Sequence, residues 1–159
     1  MDWVYFNDSF ILKDKVSISP YDRGFLFGDS VYEVIPVYEG KAFLLEDHLT
    51  RLERSLMETK IKKPISWKDF PKIIEELVKR NSYKDQQIYV QITRGVDEHR
   101  NHIPSKNLNP TCFISSAELS INPFRINPNR PGLEVKSVED TRWSRCDIKA
   151  VTLLPNVMA

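Results

Sequence analysis

The run Asp140-Thr-Arg-Trp-Ser-Arg-Cys-Asp-Ile-Lys149 ends on a lysine flanked by Asp147 and Ile148 rather than by other lysines. A lysine that serves as a nucleophile must shed its proton near neutral pH, through desolvation or through neighbouring cations. Arg142 and Arg145 are expected to supply those cations. The plain alternative is a solvated lysine at a strand end. A second pair of interest is Arg100 and His102, two residues apart in the loop Gly95-Val-Asp-Glu-His-Arg-Asn-His-Ile-Pro104. In extended backbone that spacing turns both side chains to one face. Two donors pointing together suit a carboxylate, which arginine binds with a planar fork. A polar surface loop is the alternative there.

Several elements must position these groups. Trp3-Val-Tyr-Phe and Phe10-Ile-Leu, joined at Asn7-Asp-Ser9, read as a hairpin. That Asn7-Asp-Ser9 sequon is read as a turn rather than a glycosylation site. Val31-Tyr-Glu-Val-Ile-Pro-Val-Tyr and Lys41-Ala-Phe-Leu-Leu, joined at Glu39-Gly40, read as a second hairpin, with Pro36 implying a sheet edge or bulge. Between them, Gly24 and Gly28 interrupt an aromatic loop and invite positive φ or close approach. Asp47 is expected to cap a helix with the stripe Leu49, Leu52 and Leu56. A second helix is predicted over Ser66 to Arg80, with a capping-box-like Ser66 and Asp69, the stripe Phe70, Ile73, Ile74 and Leu77, and Asn81 at its end. Ile88-Tyr-Val-Gln-Ile-Thr and Thr111-Cys-Phe-Ile-Ser alternate as paired strands.

Ser120 to Pro131 is rich in Pro and Asn and reads as a linker. The expected organisation is a domain over 1–119, a linker over 120–131 and the start of a second domain over 132–159. That last part opens with the strand Gly132-Leu-Glu-Val-Lys-Ser-Val and closes with the first turns of a helix after Val151. The expected class is α+β, an antiparallel sheet with two helices. With 23 basic and 22 acidic residues, no net field draws the chain to nucleic acid or an anionic membrane, so small ligands are favoured. No bilayer-spanning apolar run or signal peptide is visible, and a cytoplasmic protein is expected. Cys112 and Cys146 lack metal-ligand spacing or a disulfide framework and read as thiols.

Five motifs then fall in one order: Asp22-Arg-Gly-Phe-Leu-Phe-Gly-Asp-Ser-Val-Tyr-Glu-Val34, His48-Leu-Thr-Arg-Leu52, Thr93-Arg-Gly95, Arg100-Asn-His102 and Arg142-Trp-Ser-Arg-Cys-Asp-Ile-Lys149. In this order the chain resembles the class IV (fold type IV) pyridoxal-phosphate aminotransferases, and within them the D-amino-acid transaminases, over about the N-terminal half of such an enzyme. The resemblance implies pyridoxal 5'-phosphate as cofactor, a D-amino acid and a 2-oxo acid as substrates, and a homodimer. It implies that Lys149 bonds the cofactor and moves the substrate proton, and that Arg51 holds the cofactor phosphate. Tyr32, Arg100 and His102 are implied to trap the substrate α-carboxylate, the latter two across a subunit interface. Glu33 is a candidate to act on the lysine.

Thr152 stands where such enzymes carry Asn. The acidic partner of the cofactor ring and most of the phosphate cradle belong, by the same resemblance, to a C-terminal part beyond these 159 residues. The chain alone is therefore expected to fold at least through Ala117, to leave 132–159 mobile or held only by packing on the first domain or a partner chain, and to be inactive. A branched-chain L-amino-acid aminotransferase or an aminodeoxychorismate lyase shares the fold and the lysine. A reading of a different class is a non-catalytic fragment or assembly module, and a Cys or Ser hydrolase is a distant third, since His48, His99 and His102 stand in no nucleophile motif.

Overall fold

Strand pairing in the computed structural model, which describes residues 2–119, 129, 132, 134–140 and 142–158, is antiparallel throughout. The strands are β1 (Trp3–Phe6), β2 (Ser9–Leu12), β3 (Ser30–Tyr38), β4 (Lys41–Ala42), β5 (Gln86–Thr93) and β6 (Cys112–Glu118). They form one sheet in the order β2-β1-β6-β5-β3-β4. The helices are α1 (Arg23–Phe27), α2 (Leu45–Thr59), α3 (Phe70–Asn81) and α4 (Leu154–Met158).

Alternation along the strands builds the core. Val31, Ile35 and Val37 of β3, Ile88, Val90 and Ile92 of β5, and Ile114 of β6 are fully buried on one face. Against them lie Leu52 and Leu56 of α2 and Phe70, Ile74 and Leu77 of α3, the stripes that the sequence periodicity marks. Both hairpins of the sequence reading form, although β4 is only two residues long. Pro36 carries its carbonyl toward β4, accepting from Phe43 N at 2.8 Å. β3 is not the edge strand of the sheet, but the missing N–H of Pro36 lies on this same side, toward the end of the two-residue β4 and away from β5.

Three local expectations differ from the structure. Asp47 does not cap α2, because the chain turns at Leu44 in left-handed conformation (φ 48°) and the helix starts at Leu45. Asp47 and Glu46 lie instead in the first turn, where the helix dipole favours carboxylates. The capping box at Ser66 and Asp69 does not form; those residues belong to a 3-10 turn, Ile65–Asp69, and α3 begins after it. Asn81 is the last residue of α3, as expected, and bonds both Trp3 N (2.8 Å) and Trp3 O (2.9 Å), fastening α3 to β1. The aromatic loop after Asp22 is a short helix, capped by the Asp22 carboxylate on Gly24 N (2.8 Å) and closed by Gly28 at φ 65°.

The linker read over 120–131 lies outside the described residues apart from Asn129. The strand expected over 132–138 is not formed by its described residues 132 and 134–138, which have no neighbouring strand among the described residues to complete their hydrogen bonds. The helix expected after Val151 is present as α4.

Candidate active site

The segment that carries Lys149 docks on the outer edge of β3. Ala150 bridges Val31 in antiparallel fashion, Tyr32 N donates to Lys149 O at 3.0 Å, and the Ile148 side chain enters the core. Ionic contacts brace the approach to it: Arg54 of α2 reaches Asp147 at 3.0 Å, and Arg145 reaches Glu58 at 2.8 Å. These contacts involve residues 145–150, for which packing on the first part of the chain is one of the outcomes expected. Strand alternation points Tyr32 away from the helices, and the Lys149 ammonium nitrogen lies 4.0 Å from the centroid of its ring. Tyr89 of β5 stands next to Tyr32, with ring centroids 5.8 Å apart.

Glu33, the next residue of β3, faces the core and is completely buried, so its charge demands partners. Helix α2 supplies two, one turn apart on its face toward β3. Arg51 donates through Nε (2.5 Å) and Nη2 (2.7 Å), and His48 Nδ1 lies 2.8 Å away. Burial alone would raise the Glu33 pKa, but the hydrogen bonds and charges of Arg51 and His48 hold it below its ordinary value. Glu33 thus commits its two carboxylate oxygens to Arg51 and His48. The Arg51 side chain remains 50% exposed, with N–H donors to spare on its other edge.

An open cleft of ≈ 900 Å³ gathers these groups, lined among others by Tyr32, Arg51, Lys149, Gly28 and Thr152. Gly28 has no room for a Cβ, which would come within 2.6 Å of the Thr152 methyl. Arg142 and Arg145 do not act as free cations beside the lysine. Arg142 bonds Asp140 (2.9 and 2.7 Å), whose carboxyl it holds down to about 2, and Arg145 bonds both Asp147 and Glu58. Neighbouring carboxylates neutralise the field expected from them.

Arg100 and His102 are brought together as the spacing predicts, but not at the cleft itself. Both are exposed, and both pack on Phe27, the Arg100 guanidinium 4.9 Å from the ring centroid and the His102 ring at 5.5 Å. Phe27 in turn lines the cleft.

Residues 30–159 match the model of the amino-transferase class IV family. The chain belongs to this family. It is 35% identical over 159 residues to the D-alanine aminotransferase of Staphylococcus haemolyticus, covering 100% of this chain and 55% of that protein. It is 33% identical over 156 residues to the D-alanine aminotransferase of Listeria monocytogenes serotype 4b, covering 98% of this chain and 54% of that one. The chain thus spans about half the length of the curated relatives it matches. Among solved structures, the Escherichia coli branched-chain amino acid aminotransferase matches with a TM-score of 0.69 at 17% identity, over 74% of this chain and 40% of that one. The branched-chain aminotransferase of the archaeon Thermoproteus uzoniensis, solved with norvaline, matches with a TM-score of 0.67 at 19% identity, over 75% of this chain and 41% of that one.

As a class IV aminotransferase chain, it contains site-building residues that sequence reasoning did not single out. Asp22 accepts from Thr93 Oγ1 (3.0 Å) and Thr111 Oγ1 (2.6 Å), tying α1 to the ends of β5 and β6. Asp29 receives Arg23 (2.9 Å) and Arg94 (2.7 and 2.8 Å), while Arg94 also holds the carbonyls of Thr59 and Lys60 at the end of α2. The signal was present, since Asp22, Arg23, Asp29 and Arg94 all fall in the ordered motifs. Their role was not, because a buried arginine and an exposed one read alike in sequence. Cys112 is buried in the core and its thiol is pushed up to about 12 by that burial, which removes it as a nucleophile.

Proposed function

We propose that the protein carrying this chain transfers an amino group between a D-amino acid such as D-alanine and a 2-oxo acid, with pyridoxal 5'-phosphate as cofactor. The observation that carries the reading is the meeting of Lys149, Tyr32 and Arg51 in one cleft of the class IV fold. The residues present fit the group: a primary amine reaching a cleft wall for its aldehyde, and a guanidinium with unused donors at the same cleft for its phosphate. Bound pyridoxal phosphate supplies the electron sink that makes the substrate α-carbon acidic.

The remaining work falls to the side chains. Lys149 would hold the cofactor through Nζ and, as a free amine, would carry the substrate α-proton on that nitrogen. Arg51, held on one edge by Glu33, offers its other edge to the phosphate. Tyr32 forms the wall beside the lysine, and with Arg100 and His102 it binds the substrate carboxylate, which fixes the face from which the α-proton is removed. We further propose that the protein is a cytoplasmic homodimer, with Arg100 and His102 serving the site from across the subunit interface; sedimentation of the holoprotein tests the stoichiometry.

A branched-chain L-amino-acid aminotransferase is the second reading, and the solved structures named above favour it only through their shared fold. The D-specific reading rests on the curated D-alanine aminotransferases at 33–35% identity over nearly all of the chain and on the Arg100/His102 pair. The test is to incubate the holoprotein with 2-oxoglutarate and either D-alanine or L-leucine, and to follow pyruvate or 4-methyl-2-oxopentanoate. Preference for L-leucine replaces the first reading by the second; no transfer from either donor removes both.

A further inference from the structure

We propose that Arg23, a residue with no access to the substrate, is the positioning residue of the Arg100/His102 pair. The inference rests on the reading of that pair as the carboxylate-binding group. The Arg23 side chain is only 4% exposed, at the start of α1. Its guanidinium forks over two successive peptide carbonyls of the neighbouring loop, Nη1 to Asn101 O at 2.6 Å and Nη2 to His102 O at 3.0 Å. Those carbonyls belong to His102 itself and to the residue between it and Arg100, so the fork holds the backbone from which both side chains spring.

The surrounding contacts make the hold rigid and selective. Arg23 Nε is fixed on Asp29 at 2.9 Å, and its guanidinium carbon lies 4.7 Å from the centroid of Phe27. Phe27 is the ring that also receives Arg100 and His102. Asp97 closes the base of the loop, accepting Ser105 Oγ at 2.6 Å and Ser105 N at 3.1 Å while facing Arg23 at 3.5 Å. With Asp29 and Asp97 balancing its charge, Arg23 can share Phe27 with Arg100 without two bare cations meeting. Five N–H donors in one plane suit this set of acceptors, and a lysine ammonium does not reproduce the geometry. Whether the pair serves the cleft of its own chain or of a second copy, Arg23 sets where it stands.

The experiment uses the holoprotein and reads affinity for a simple carboxylate, propionate, as a competitive inhibitor of the amino donor, together with KM and kcat. Arg100→Ala, Arg23→Gln and Arg23→Lys are compared with the double variant Arg23→Gln/Arg100→Ala. Each Arg23 variant is expected to weaken propionate binding and raise KM about tenfold or more, with cofactor absorbance retained. The double variant should lose less propionate affinity than the sum of the two single losses, because Arg23 acts through the pair. Unchanged propionate binding in the Arg23 variants, or additive losses in the double variant, would overturn the proposal. So would failure of both Arg23→Gln and Arg23→Lys to fold, which would assign Arg23 to the fold as a whole. If Arg100→Ala itself leaves propionate binding and KM intact, it is the carboxylate reading of the pair that fails.

Discussion

Arg51 closes on both carboxylate oxygens of Glu33, at 2.5 and 2.7 Å, from helix α2 packed against β3. Glu33 is wholly buried while Arg51 is half exposed, so the anion is the fixed partner and the guanidinium the one that is aimed. Such bidentate contacts fix direction as well as distance.

Glu33→Gln keeps the shape of the side chain but loses the charge and one acceptor. Cofactor affinity is expected to weaken about tenfold, the effect of losing one charge-assisted hydrogen bond that orients Arg51. Equilibrium titration of the apoprotein with pyridoxal phosphate checks it. Undiminished affinity would mean that Arg51 finds its direction without Glu33.

Lys149 should carry the cofactor. Among the lysines of the described residues it is the one whose Nζ rests on the Tyr32 ring within the cleft. Borohydride reduction of the holoprotein followed by peptide mapping should recover the label on Lys149, and Lys149→Ala should abolish transfer. Label on Lys136 or any other lysine would remove Lys149 from its role.

Gly28→Ala should destabilise the protein through two separable effects. A left-handed backbone at φ 65° costs a residue with a Cβ about 1 kcal/mol. The new Cβ would also lie 2.6 Å from the Thr152 methyl, a clash worth roughly 1–3 kcal/mol. Thr152→Ser deletes that methyl, so the double variant should recover the clash and retain only the backbone cost. Urea unfolding of the four proteins measures the coupling, and strictly additive losses would refute the Gly28–Thr152 contact.

The carboxylates partnered by arginines, Asp29 and Glu33, predict an acid limb. Burial alone would raise the Asp29 pKa, yet the hydrogen bonds and charges of Arg94 and Arg23 leave it below its ordinary 3.8. Glu33 likewise lies below its ordinary 4.5. For depressed carboxylates the unfolded chain binds protons that the native state does not. The stability they lend is complete above the unfolded values and is lost as pH falls through the folded ones. Unfolding free energy should therefore be level in these groups down to about pH 5 and decline below it. Asp29→Asn should be the less stable protein at neutral pH, with a gap to the parent that narrows below about pH 4. A gap independent of pH would exclude the Asp29 charge as its source.

Sequence alone determined whatever depends on neighbours along the chain. Alternation in 31–38 and 88–93 placed Val31, Ile35, Ile88 and Ile92 in the core, and helical spacing did the same for Leu52, Leu56, Ile74 and Leu77. Motif order brought out Lys149, Tyr32 and Arg51, which the fold gathers in one cleft. Tertiary structure alone decided which charges are partnered. Arg142 and Arg145, read as cations acting on Lys149, are taken by Asp140, Asp147 and Glu58, and Glu33, read as a neighbour of the lysine, is taken by Arg51 and His48. Arg23 finds its acceptors 78 and 79 residues away. Periodicity specifies which face of a strand or helix is apolar, but an ion pair or a carbonyl fork needs two particular groups within about 3 Å. That proximity is created only when the sheet order sets β3 beside β5 and lays the loop after β5 against α1.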